Sequence, residues 1–170
     1  TLEERTNLLQ GVLSAMTQGV VAFDRDLKLI AWNDVFLDIR GYPTELASVG
    51  TDFAEFMEYD VEHGEFSRND PEFDVQMQVE RARKFEMHAF ERQRPDGRHI
   101  EVRGGPIPGG GFVSTYAVIT ERKLADTQIS KLSAAVEQSS PAIVITDPEG
   151  LIEYVNPAFV RASGYTPEDV

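Results

Sequence analysis

An α+β fold is what the sequence predicts, on three observations. Two short apolar runs, Val20 to Phe23 and Leu27 to Trp32, flank an aspartate-rich turn. The middle of the chain carries helix-start signals and amphipathic segments, and residues 85–119 then hold three runs of strand character. Strands, then helices, then strands is the order of an α+β domain and not of alternating βαβ units.

Each element has a local reason. Residues 1–18 read as a helix, with Leu2, Leu9, Val12 and Met16 spaced seven, three and four apart. The turn Asp24-Arg25-Asp26 makes the two apolar runs a β-hairpin. Asn33 stands where a helix N-cap belongs, so 34–40 is a short helix burying Val35, Phe36 and Ile39, and Gly41 supplies the positive φ of its C-terminal cap. Residues 51–62 form an acidic amphipathic helix with Phe53, Phe56, Met57 and Asp60 on one side. Asp70-Pro71-Glu72 is a helix start, yet Phe73, Val75, Met77 and Val79 alternate as a strand would. Phe85, Met87 and Ala89 then alternate with Glu86 and His88, and after the turn Pro95-Asp96-Gly97, Ile100 and Val102 alternate with Glu101 and Arg103. A second turn, Pro108 to Gly111, leads into a last strand, Phe112 to Ile119.

The opening pattern occurs twice. Residues 19–47 (GVVAFDRDLKLIAWNDVFLDIRGYPTELA) align without a gap on 142–170 (AIVITDPEGLIEYVNPAFVRASGYTPEDV), at an offset of 123. Identical pairs are Val21/Val144, Asp24/Asp147, Asn33/Asn156, Phe36/Phe159, Gly41/Gly164, Tyr42/Tyr165 and Glu45/Glu168. Asn156 is followed by Pro157, a residue suited to the first helical position.

A strand, an Asp turn, a strand ending just before Asn, then Phe and Gly-Tyr, resembles the start of a PAS (sensory box) domain. The segment FERQRPDGRHIEVRGGPIPGGGFVSTYAVITERK, 90–123, is similar to the last three strands and exit of such a domain. The resemblance covers one complete unit, about 12–120, and the opening third of a second. It is closest to the subgroup found in bacterial sensor histidine kinases and GGDEF/EAL proteins. It implies a five-stranded antiparallel sheet with helices on one face, and it favours the helix after Asp70. It also implies that a ligand would lie between sheet and helices, which makes Trp32, Phe36, Phe56, Tyr59, Met77, Phe90 and Tyr116 candidate pocket residues, although each also reads as plain core.

Residues 121–139 contain no Gly or Pro, and Ala125, Ile129, Leu132 and Val136 follow a 4-3-4 seam. With the N-terminal helix, this linker is expected to pair two protomers and to carry a signal by rotation or register shift. PAS domains of the resembled type leave the sheet with Asp-Ile-Thr. Here the match is Val118-Ile119-Thr120, so the anchoring carboxylate is missing and a weak sheet-to-helix latch is expected, or none built on that pair.

Composition bounds the chemistry. The chain of 170 residues has 16 Lys+Arg against 29 Asp+Glu, a net charge of −13, and no Cys. Phosphate contacts need clustered cations, so nucleic acid is not an expected partner. No apolar run approaches the ~20 residues of a membrane-spanning helix, and no secretory leader is evident. A cytoplasmic location is expected. Without Cys there is no disulfide, Cys–metal site or Cys-dependent flavin photochemistry. His63, His88 and His99 read as surface or partly buried residues, so no haem site is expected. Gly109-Gly110-Gly111 joins strands and opens no helix, so it is a turn and not a phosphate loop. No catalytic triad, Walker-type loop or metal-ligand cluster appears. Arg103 would meet an anion only if it pointed inward, and its alternation with Val102 argues that it points out.

Charge is uneven: ten acids and one Arg in 51–80, against seven Lys/Arg and four acids in 81–103. These surfaces are either solvated or paired across a dimer.

The expected organisation is an N-terminal helix (1–18), a PAS domain (19–120), a helical linker (121–139) and the start of a second PAS domain (140–170). Two strands with an open edge cannot bury a core, so the second copy is expected to pair with another protomer or pack on the first sheet. The expected function is a non-catalytic sensory and dimerisation module, with or without a small-molecule ligand. Its output domain would lie C-terminal of this segment: a histidine kinase first, a diguanylate cyclase or phosphodiesterase next. The alternative is a ligand-free interaction scaffold.

Overall fold

The computed structural model describes residues 2–66 and 70–166, with side chains from Asn7 onward. The side chain of Leu2 and the repeat residue Glu168 lie outside the described residues. The chain divides into two compact units, 1–120 and 121–170.

In the first unit, helix α1 (Leu2–Ala15) precedes strands β1 (Gly19–Asp24) and β2 (Leu29–Trp32). The turn between them is closed by Asp24, whose Oδ1 accepts from the backbone N–H of Asp26 and of Lys28, both at 2.9 Å. Leu27 holds φ of 60° there and is only 3% exposed, so a core leucine occupies the left-handed region that favours glycine. Asn33 caps helix α2 (Asp34–Arg40) as its sequence position predicts: Oδ1 accepts from Phe36 N at 3.0 Å. The same oxygen accepts from Val20 N at 2.9 Å, and Nδ2 donates to the carbonyls of Leu13 and Gln18, both at 2.9 Å. One buried side chain therefore joins α1, β1 and α2.

Helix α3 (Phe53–Glu62) opens with a capping box formed by Asp52 and Glu55 and buries Phe56, Met57, Asp60 and Val61. Helix α4 (Pro71–Ala82) is capped by Asp70, which accepts from Phe73 N at 3.1 Å. Val75, Val79 and Ala82 pack toward the core at helical spacing, while Phe73 and Met77 are exposed. The cap thus prevails over the period-two alternation.

The sheet is closed by β3 (His88–Gln93), β4 (His99–Pro106) and β5 (Gly111–Val118). All pairings are antiparallel, in the order β2-β1-β5-β4-β3. This is an α+β fold, a five-stranded antiparallel sheet flanked by helices. The core joins Val21, Phe23 and Leu29 of the first hairpin to Phe36, Phe56 and Phe112. Phe23 stacks on Phe112 at 5.3 Å and meets Phe53 edge-on at 5.2 Å.

One sequence expectation needs correction here. The strand expected from Phe85 begins only at His88. Phe85 has φ of 49° and turns the chain, Met87 is largely exposed, and His88, Phe90 and Arg92 of the strand line a cavity against the helices. The sheet-to-helix junction is held by other residues than Val118: Thr120 Oγ1 accepts from His99 N at 2.9 Å, and Ile119 N donates to His99 O at 2.8 Å. Val118 is exposed and takes no part in these bonds.

The second unit holds most of helix α5 (Thr120–Glu137), a two-stranded antiparallel sheet of β6 (Val144–Thr146) and β7 (Ile152–Val155), and helix α6 (Pro157–Ser163). The hairpin repeats the first one down to its register shift, which falls between Ile145 and Thr146 as it falls between Ala22 and Phe23. Asn156 caps α6 through Phe159 N at 3.0 Å and accepts from Ile143 N at 2.8 Å; its Nδ2 donates to Val136 O at 3.2 Å and Pro141 O at 3.0 Å. Among the described residues this hairpin forms a two-stranded sheet of its own.

Candidate functional site: a cavity beside a buried charge cluster

A cavity of about 260 Å³ lies between the inner face of β3–β5 and helices α3 and α4. Alternation along the strands supplies one wall: His88, Phe90 and Arg92 from β3, Val102 from β4, and Ser114 and Tyr116 from β5. Helical spacing supplies the other, with Phe53, Met57 and Asp60 of α3 on one face.

The row His88–Gly104–Ser114 runs across three paired strands. A Cβ on Gly104 would lie 2.2 Å from the Val113 carbonyl oxygen and 2.6 Å from His88 Nε2. The missing side chain lets the imidazole cross β4, so that Nε2 sits 2.8 Å from Ser114 Oγ. With Nδ1–H donating to the Glu86 carbonyl at 3.1 Å, Nε2 accepts the Ser114 hydroxyl.

At the cavity's inner end lies a cluster of charges. Arg40, 3% exposed, pairs with Asp60, 1% exposed, and donates from Nε and Nη2 to the Tyr42 hydroxyl at 3.2 and 3.1 Å. Glu65 accepts from Arg94 Nε at 2.7 Å and pairs with Arg92 Nη2 at 3.1 Å. Arg94 is further satisfied by the carbonyls of Ile39 and Arg40 and by Asp96. Two donors are left over: Arg40 Nη1, whose nearest carboxylate oxygen is Glu65 Oε2 at 3.7 Å, and Arg92 Nε. Burial opposes the Arg40 charge, but Tyr42, Asp60, Tyr116 and Glu65 outweigh it and raise the guanidinium above its ordinary value. Burial pushes the Asp60 carboxyl up against the pull of Arg40, and burial with the neighbouring Arg40 lowers Arg92.

Of the pocket residues expected from the sequence, Phe90 and Tyr116 line this cavity. Phe36 and Phe56 lie in the core beneath it, with Phe36 5.2 Å from the Tyr116 ring. Trp32 packs at the margin of the core, Tyr59 stacks on His63 at 3.8 Å, and Met77 faces outward on α4. Arg103 points out and pairs with Glu101 at 2.7 Å. The uneven charge is in part closed inside the chain: Asp60 and Glu65 of the acidic stretch meet Arg92, Arg94 and Arg40. Sequence reading missed Arg40, Glu65, Arg92 and Arg94. A signal existed, because Asp60 stood on the apolar side of its helix and Arg92 shared a strand face with Phe90. A carboxylate on a buried face asks for a cation opposite.

Among the described residues no group of three His, Cys, Asp or Glu side chains is placed to hold a metal, and no helix is long and apolar enough to cross a membrane.

The chain is similar in structure to the PAS domain of Bordetella pertussis BvgS, at 18% identity and a TM-score of 0.52, covering 78% of this chain and 98% of that one. It is also similar to phage VqmA, solved as a VqmA–DPO complex, at 10% identity and a TM-score of 0.50, covering 81% of this chain and 63% of that one. No curated protein matches it. A family profile described as PAS fold matches residues 13–127, and a second, described as PAS domain, matches residues 130–170. With the five-stranded sheet and these matches together, the chain belongs to the PAS family of sensory domains.

Proposed function

We propose that this chain is the sensory and dimerisation module of a bacterial signal-transduction protein. The cavity takes a small-molecule signal, and helix α5 relays it to an output domain C-terminal of this segment, with a histidine kinase as first choice. The observation that carries this reading is that α5 is fastened at both ends. Its first residue, Thr120, is bonded to β4 of the complete PAS unit, and its last turn, at Val136, is bonded to Asn156 of the second copy. A helix held this way passes displacement from one unit to the next. Dimerisation through the helices is supported by exposed apolar residues at seam spacing: Leu9 and Val12 on α1, Ile129 and Leu132 on α5.

Sedimentation velocity tests the dimer. The chain is expected to sediment as a dimer and the variant I129E/L132E as a monomer. A wild-type chain that stays monomeric at every concentration overturns dimerisation. In the parent protein, N156A is expected to uncouple signal from output; unchanged signal-dependent output overturns the relay.

A further inference from the structure

The charge cluster beside the cavity is short of one negative charge. Three guanidinium groups, Arg40, Arg92 and Arg94, converge on two buried carboxylates, Asp60 and Glu65, and Asp96, which also meets Arg94, is half exposed and shared with Arg98. The shortage is local. Arg94 has acceptors for its donors, whereas Arg40 Nη1 and Arg92 Nε have no hydrogen-bond acceptor among the described residues. Arg40 is almost wholly buried, so its spare N–H has no bulk water to turn to, and an unmet buried charged donor is costly. Both arginines line the cavity, and both approach the same oxygen, Glu65 Oε2, Arg40 through Nη1 at 3.7 Å and Arg92 through Nη2 at 3.1 Å. The remaining wall is largely aromatic and aliphatic, from Phe53, Met57, Phe85, Phe90, Val102 and Phe112.

We infer that the cavity binds a small organic acid, with its carboxylate on Arg40 Nη1 and Arg92 Nε and its hydrocarbon or aromatic body against the phenylalanine wall. This rests on the proposed sensory role of the cavity and adds the class of signal. A carboxylate fits because its two oxygens each accept a charge-assisted N–H, while the ligand's charge balances the third guanidinium. The volume of about 260 Å³ suits a body of the size of a substituted benzene or a medium-length alkyl chain, since about 150 Å³ accommodates benzene. His88 and Ser114 form a second polar spot in the wall, where the Ser114 oxygen accepts from an N–H or O–H on the ligand.

Titration calorimetry with paired probes tests this: phenylacetate against phenylacetamide, and hexanoate against hexanamide, with inorganic phosphate alone as a further arm. The acids are expected to bind at least about tenfold more tightly than their amides, because the amides lack the charge that the two donors recognise. The variant R92Q, altered at the less buried arginine, is expected to lose that preference. R92K, which keeps the charge but not Nε, is expected to retain part of it. Thermal unfolding of each variant checks that it is folded; if R92Q does not fold, R92K carries the comparison. Acids and amides binding alike would overturn the carboxylate assignment and leave the sensory cavity standing. Phosphate binding as tightly as the acids would overturn the organic body. No binding by any probe would overturn both the assignment and the ligand-sensing reading.

Discussion

Asn33 and Asn156 make equivalent hydrogen bonds with residues that are themselves 123 positions apart. Each side-chain oxygen accepts from the first residue pairs of its own unit, Val20 and Phe36 in one, Ile143 and Phe159 in the other. Each side-chain amide donates to a preceding helix and the segment after it, Leu13 and Gln18 in one, Val136 and Pro141 in the other. The repeat therefore begins upstream of the aligned strands. The incoming helix belongs to it through backbone carbonyls, which leave no mark on side-chain identity.

The clasp can be separated from the cap. N33A removes both and is expected to cost about 2–4 kcal/mol, a helix cap of about 1 kcal/mol plus the buried partners left unmet. N33D keeps the acceptor for Val20 and Phe36 and removes the donor to Leu13 and Gln18. Hydrogen exchange is expected to stay slow in α2 and to quicken in 10–16 for N33D, with both regions quickening in N33A.

The buried pair is expected to behave asymmetrically. D60L strands the Arg40 guanidinium in the core and is expected to cost about 3 kcal/mol in urea unfolding. Adding R40M to D60L is expected to restore most of that stability, because replacing both members of a buried pair by apolar groups is often neutral. Equal losses in the single and double variants would show that the charges are not coupled.

Asp96 gives a pH signature. Slight burial pushes its carboxyl up, but the Arg98 backbone N–H and guanidinium, with Arg94, more than offset this and hold it below the ordinary 3.8. A depressed folded value means that the contribution is present above 3.8 and is lost as pH falls through the lower folded value. The stability difference between wild type and D96N is therefore expected at about pH 7 and should shrink by about pH 3. A difference that grows on acidification would reverse the assigned sign.

Leu27 sets strain against burial. Its counterpart in the second copy is Gly150, with φ of 89°, while Leu27 sits at 60°. The left-handed conformation costs a leucine about 1–2 kcal/mol, whereas emptying a buried leucine site costs about 2–5 kcal/mol. L27G is thus expected to destabilise the first unit by about 1–3 kcal/mol, measured by urea unfolding. A gain in stability would mean that strain outweighs packing there.

The fold class, the order of elements, the caps at Asn33, Asp70 and Asn156, and the repeat were all legible in the sequence. They rest on local rules: period, turn chemistry and the preference of one residue for one cap position. Three features were decided only by the tertiary structure. The start of β3 at His88 follows a left-handed turn at Phe85, which nothing in its alternation announces. The latch at Thr120 depends on His99, 21 residues earlier, because β4 and β5 pair. The charge cluster gathers Arg40, Asp60, Glu65, Arg92 and Arg94 from three separate stretches of chain. Each such residue looks like an ordinary solvated charge in its own neighbourhood. Only folding removes the water and leaves the charges to satisfy one another, which is why the walls of the cavity were partly foreseeable and its charge balance was not.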